Sequence, residues 1–247
     1  MKNLHKAYYK DYFAKMNFET DTIDSKKNEA EIQRNNDLLI SERLKIIPNE
    51  LANCKFSYIV AYPGLVTGVG INHEAKIKGE FKLGVHFDYT YGMPVVYGSS
   101  VKGVLRFYFK NVLTDEFKKK LSVDFDTEAA FDEIFNGLRN GEPISIYERD
   151  IFFDAVITKE NKKSCILASD SITPHTEGLL KDPIPLTFMK IASGCTLEFR
   201  FRLSNSSKAC LPAADKIKIF KEIIETFGIG AKTNVGYGQF ETKGHNL

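Results

Sequence analysis

The spacing of apolar residues changes several times along this chain, and each change marks an element. Leu4, Tyr8, Tyr12 and Phe13 fall on one helical face, and Ile32, Leu38, Leu39 and Leu44 suggest a second, weaker helix. Between them ETDTIDSKKNEAE is polar and charged and reads as a solvated linker. Residues 1–50 are therefore expected to form a helical extension that docks on the rest of the chain or on a partner. The regular fold is expected to begin at KFSYIVAY, a run of β-formers that stops at Pro63 and Gly64. After a glycine-bearing loop, GMPVVYGSS leads into a strong helix. Ser99 or Ser100 is its expected cap, and Val101, Val104, Leu105, Tyr108 and Val112 form its apolar stripe. The pattern predicts another helix over Thr127–Leu138, with Phe131, Ile134, Phe135 and Leu138 on one face and Gly141 and Pro143 as its stop.

RDIFFDAVIT then reads as a strand. Asn161–Lys181 reads as a polar, turn-rich excursion, expected to be mobile when the chain is alone. In GCTLEFRFRL the alternation is clean: Leu197, Phe199, Phe201 and Leu203 point one way, and Glu198, Arg200 and Arg202 the other, as in a strand with one wet face. Pro212 opens a last helix with Ile217, Phe220, Ile224 and Phe227 on its stripe, Gly228 and Gly230 end it, and NVGYGQFET is expected to return as the final strand. The order is strand, helices, strand, strand, helix, strand. It predicts an α+β chain with a ferredoxin-like (RRM-like) βαββαβ domain over residues 51–247, antiparallel, with helices on one face and an insertion near 161–181.

Composition narrows the function more than the fold. The 247 residues are 43% hydrophobic and 27% charged, with 34 basic against 32 acidic side chains and a net charge of +2. A protein that grips nucleic acid unaided is usually more basic, so an RNA role must rest on a local patch or on neighbours that share the contact. Cys54, Cys165, Cys195 and Cys210 lack zinc spacing and read as buried or half-buried thiols in a reducing compartment. No His/Asp/Glu cluster has ligand spacing, and no cofactor motif is present. The N-terminus lacks a signal-peptide core, and Phe56–Val66 is too short and too interrupted to span a bilayer, so the chain reads as cytoplasmic.

Two segments are suited to phosphate. GIGAKTNVGYGQF places Gly228, Gly230, Gly236 and Gly238 around Lys232, Thr233 and Asn234, where bare backbone can approach an anion. It is not a nucleotide-binding P-loop, because Ala231 precedes Lys232 and a strand, not a helix, is expected after it. A helix cap followed by a bulge accounts for these glycines equally well. In GMPVVYGSSVKGVLRFYF, Ser99, Ser100, Lys102 and Arg106 would meet at a helix start, with the two cations four residues apart on one face. An ordinary capped amphipathic helix accounts for this segment too. His73, in the glycine-bearing loop, could touch a phosphate or a base, although an exposed loop histidine without a role is the simpler account.

Together, GLVTGVG, GMPVVYGSSVKGVLR and GIGAKTNVGYGQF resemble the RAMP superfamily of CRISPR effector proteins, with all three motifs in the family's order. Within it, FDAVI, LASDSITPHTEGLL and PIPLTFMKIASGCTLEFRF look like the sixth subunit of the type III-B (Cmr) complex. The resemblance covers the chain beyond residue 50. It implies a non-catalytic subunit of an antiviral complex that binds the 3′ side of the guide RNA and caps a filament of related subunits. Its partners would be guide RNA, target RNA and the other Cmr subunits, with no membrane. By the same resemblance Lys102, Arg106 and the Lys232 loop (Gly230, Lys232, Thr233 and Asn234) would face the guide backbone. The 161–181 excursion would be a thumb between guide and target. Target-cleaving relatives carry an aspartate upstream of the G-x-P segment. Counting back from Gly92, that position falls on Lys82, and Asp88 matches a non-cleaving one, so no catalytic residue is expected. The alternative is a metal-independent endoribonuclease that matures guide RNA, with His73 and Lys232 as its candidate groups.

Overall fold

The computed structural model describes residues 2–19, 26–67, 77–82, 84–172, 185–205 and 209–241. The described residues form an α+β fold around a six-stranded sheet. In chain order the helices are α1 Leu4–Lys6 (continued by a π-turn, Ala7–Asp11), α2 Lys26–Ile40, α3 Gly98–Val112, α4 Asp115–Leu121, α5 Thr127–Phe131 (continued by a π-turn, Asp132–Asn136) and α6 Ala213–Phe227. The strands are β1 Cys54–Ile59, β2 His86–Phe87, β3 Pro94–Val96, β4 Leu138–Arg139, β5 Glu142–Pro143, β6 Ile151–Phe152, β7 Ala155–Lys159, β8 Leu167–Ile172, β9 Leu186–Ile191 and β10 Thr196–Arg202. The main sheet runs β1-β10-β7-β3-β2, with β6 also on β10 and every pair antiparallel.

β1 and β10 are held by matched aromatics as well as by their ladder. Phe56 stacks on Phe199 at 5.1 Å and on Phe201 at 5.7 Å. Phe201 in turn meets Phe152 and Phe220, and Phe152 meets Phe135, so one chain of rings links the sheet to α6 and to the turn after α5. The N-terminal helix enters the same core: Leu4, Tyr8 and Tyr12 are buried. The Tyr8 hydroxyl donates to Phe81 O (2.8 Å), the Phe81 N–H donates to the Tyr12 hydroxyl (2.8 Å), and that hydroxyl donates to Asn36 on α2. Of the predicted α2 face, Ile32 and Leu39 are buried while Leu38 is exposed.

Several sequence expectations are corrected. The wet face of β10 is covered in its middle: Arg200 is only 6% exposed, because residues near Ile47 lie across it. Its guanidinium donates to Ile47 O (2.6 Å) and Glu198 (2.7 Å). The helix predicted to reach Leu138 stops earlier, at Gly137 in the left-handed region, and Leu138 begins the β4-β5 hairpin. RDIFFDAVIT is two strands, broken at Phe153 and Asp154. The buried stripe of α6 is Lys216, Ile219, Phe220, Ile223 and Ile224, with Ile217 and Phe227 at its margin. The final strand shrinks to a single bridge, Phe240 with Val60. The excursion is partly regular, since β8 pairs with β9 along its whole length, and its residues 173–181 lie outside the described residues. Cys210 is exposed rather than buried.

Lys216 is buried on α6, and its ammonium donates to both oxygens of Asp150 at 2.8 and 3.1 Å. Burial raises the Asp150 pKa, against the Lys216 charge and hydrogen bonds that lower it. Removing one partner strands a charge in the core. Lys216→Ala is expected to cost about 3–5 kcal/mol in urea unfolding, and pairing Lys216→Met with Asp150→Leu to recover most of it.

Candidate nucleic-acid interface

α3 begins at Gly98, before either serine. Tyr97 holds the N-cap position without a side-chain bond, so Ser99 and Ser100 are first-turn residues and not caps. The helix end already has an anion: the Gly98 N–H donates to the Asp154 carboxylate at 2.7 Å, supplied by the break between β6 and β7. Lys102 is half-buried, its ammonium 5.7 Å from the Phe152 ring centre. Burial first, then Arg106 and Arg149, lower its pKa, opposed by Asp150. Arg106 is exposed, 5.0 Å over the Phe131 ring, and Lys110 lies 5.7 Å over the same ring. With Gly103, Phe107 and Asn111 these residues line an open groove of about 290 Å³. Sequence reading missed Lys110, Phe107 and Phe131. Continuing the four-residue step from Lys102 through Arg106 reaches Lys110.

Gly103 is informative here. A Cβ built on it would meet nothing within 4 Å, so nothing in the described chain requires glycine there. In a helix interior glycine costs about 1 kcal/mol relative to alanine.

The glycine-rich turn behaves in the opposite way. A Cβ at Gly230 would lie 2.2 Å from Val66 O and one at Gly238 1.8 Å from Ile229 O, so both glycines admit the protein's own backbone. The turn is pinned by Ala231 N–H to Val66 O (2.8 Å) and Gly238 N–H to Gly64 O (2.8 Å). Lys232, at φ 60°, leads into a 3-10 turn, Thr233–Val235. Lys232 and Asn234 are exposed, and Thr233 is half-buried.

The two segments are not brought together at their cations. Lys102 lies against Phe152, which pairs with Phe201 near the end of β10. The glycine turn packs on the loop after Val60, whose N–H bonds Cys195 O just before the start of β10. The seven residues of β10 separate these ends, roughly 20 Å at strand rise. His73 lies outside the described residues.

The sequence model of the RAMP superfamily matches residues 58–241. The chain belongs to the RAMP superfamily. Among solved structures it is similar to a chain of the type III-B Cmr-beta complex bound to cognate target RNA, at 24% identity and TM-score 0.52. That match covers 76% of this RAMP chain and 57% of the Cmr-beta chain, so this chain spans little more than half its length. Cmr6 from Pyrococcus furiosus also matches, at 18% identity and TM-score 0.39, over 75% of this chain and 96% of that one. No curated protein matches.

In this RAMP protein the β8-β9 hairpin is tied to the glycine turn by one carboxylate. Asp170 on β8 accepts from Lys190 on β9 (2.6 Å) and from the Tyr237 hydroxyl (2.7 Å). Phe188, Tyr237 and Val66 make a small apolar cluster beneath it. Burial would raise the Asp170 pKa, but hydrogen bonds from Lys190, Tyr237 and the Ser171 N–H outweigh it and hold the carboxyl below its usual value. Burial, with the same carboxylate, pushes Tyr237 up to about 12. Lys82 pairs with Glu80, and its N–H donates to Thr187 O (2.8 Å) beside this hairpin. Asp88 caps a turn, accepting from the Tyr91 N–H at 2.5 Å. Among the described residues no group of three His, Cys, Asp or Glu is placed for a metal, and no helix is long and apolar enough to cross a membrane.

Because the Asp170 pKa is depressed on folding, its contribution is present above its unfolded value of 3.8 and lost as pH falls through the lower folded value. Asp170→Asn should therefore cost about 2 kcal/mol at neutral pH. Paired denaturation curves should converge as the pH drops below that of an ordinary carboxylate.

Proposed function

We propose that this chain is a non-catalytic, guide-RNA-binding and filament-capping subunit of a type III-B CRISPR effector complex, with guide RNA, target RNA and other Cmr subunits as partners. Its core is read as ferredoxin-like. β1 and β7 run parallel with β10 antiparallel between them, a split arrangement, and the Val60–Phe240 bridge stands where a last strand would pair. The β2-β3 pair is then an addition at the β7 edge, and α3 follows it instead of β1. Family membership and the likeness to a chain solved with target RNA support the reading.

The observation that carries RNA binding is the flank of α3. Gly103 leaves the helix backbone bare between Arg106, Lys110 and the 60% exposed Phe107, a surface suited to phosphates and a stacked base. With Arg106, Lys110 and Lys232 each meeting one phosphate, the slope of log K against log salt on single-stranded RNA is expected to be about −2. Filter binding at several salt concentrations checks this. Lys110→Ala or Lys232→Ala should flatten the slope by about 0.7 each and weaken all sequences alike. Gly103→Ala should stabilise the helix by about 1 kcal/mol yet weaken binding, a divergence that a purely structural glycine would not give. Discrete cleavage of repeat RNA by the purified chain in EDTA would instead favour the endoribonuclease.

The non-catalytic reading rests on Lys82 at the position implied for the cleaving aspartate and on Asp88 being engaged in its own turn. In a reconstituted complex Asp88→Ala should leave the target-cleavage pattern unchanged. Disappearance of one cut would make Asp88 a catalytic group.

A further inference from the structure

Tyr62 is 86% exposed, the most exposed large apolar side chain among the described residues, yet the chain is hydrogen-bonded on both sides of it. On one side of it the Ala61 N–H donates to Gln239 O (2.9 Å). On the other, Gly64 O accepts from Gly238 N–H (2.8 Å), and Leu65 and Ile191 exchange both backbone bonds at 3.0 and 2.8 Å. A solitary exposed tyrosine on a mobile loop would mean little. This ring is mounted between two pinned flanks, and it belongs to a patch.

The patch continues onto the glycine turn. Gly236 sits over Pro63, whose Cδ would be 3.5 Å from a Cβ built there. The preceding Val235 is 63% exposed, and the exposed Lys232 and Asn234 lie on the same turn. An aromatic face, an aliphatic neighbour, an ammonium and an amide thus share one rigid corner. From this juxtaposition we infer that Tyr62 is a stacking platform for one nucleobase of single-stranded RNA, with Val235 beside the base and Lys232 on its phosphate. Stacking needs no particular base, because every base presents a π-face, and a pre-ordered ring loses little entropy on binding. The inference rests on the RNA-binding reading above and adds to it a base contact at the other end of β10 from Lys102.

The test uses the full chain and a single-stranded RNA decamer carrying one 2-aminopurine, whose fluorescence is quenched when it stacks. Wild type should bind with quenching at one position of the fluorophore. Tyr62→Ala should lose that quenching and bind roughly five- to 150-fold more weakly, the range for a base–aromatic stack. Tyr62→Phe should keep both. Because the side chain is so exposed, the thermal unfolding of Tyr62→Ala should match wild type, which separates binding from folding. A wild-type chain that does not retain the decamer overturns the RNA-binding reading itself. Binding and quenching that are unchanged in Tyr62→Ala overturn the platform alone. Intact RNA binding with lost association to neighbouring subunits would assign Tyr62 to a protein contact and also overturn it.

Discussion

The segment Val60–Thr67 hydrogen-bonds to both sides at once, and the corner where the β8-β9 hairpin meets the glycine turn is assembled on it. Towards the sheet and hairpin, Val60 exchanges bonds with Cys195 and Gly194, and Leu65 exchanges both of its bonds with Ile191. Towards the C-terminal turn, Ala61, Gly64 and Val66 bond Gln239, Gly238 and Ala231. Thr67 then continues to Gly84 and, through its hydroxyl, accepts from the His86 N–H. Such close lacing of irregular backbone requires residues without side chains. A Cβ on Gly64 would be 2.6 Å from Ile191 O, and one on Gly84 1.8 Å from Met189 O. Most of the glycine motifs of this chain are therefore the joinery of one corner. What that corner offers outward is Tyr62, Val235, Lys232 and Asn234.

This changes what a glycine motif means here. Bare backbone was expected to admit phosphate at the C-terminal loop, yet there the space over Gly228, Gly230 and Gly238 is filled by neighbouring carbonyls. Gly103, by contrast, is a helix-interior glycine whose space stays open, in an element where glycine is locally unfavourable. The contrast is invisible in sequence, since a glycine packed against a carbonyl and one facing solvent are written alike.

Legibility followed burial. β1, the stripe of α3 and the apolar face of β10 were readable because one side of each meets a single core, so period and environment agree. α4 was not, because none of its residues is fully buried and no sustained apolar period runs through it. Arg200 was misread for the reverse reason: period two marks alternate faces, but it cannot say that residues near Ile47, distant in sequence, will roof the second one. The last strand failed because its glycines serve the corner and leave only Phe240 to pair. At the candidate site the cationic types were legible from the motif. Their separation along β10 was not, because it depends on α3 following β3, whose Val96 lies opposite Ala155, and not following β1 directly.

At the N-terminus of α3 the protein supplies its own anion. Serines, a glycine and cations near a helix start suggest a phosphate held at the dipole, but Asp154 already occupies that end with a bond to the first N–H. A second anion there would meet a carboxylate in contact with the same helix, and Lys102, turned over Phe152, is partly withdrawn from solvent. Arg106 and Lys110 lie further along, on a flank with no acidic residue in its lining. The helix end is thus neutralised by the protein itself while its side remains positive. On the RNA-binding reading proposed above, a polyanion would cross α3 at Gly103, with its contacts there to side chains and bare backbone instead of to the dipole.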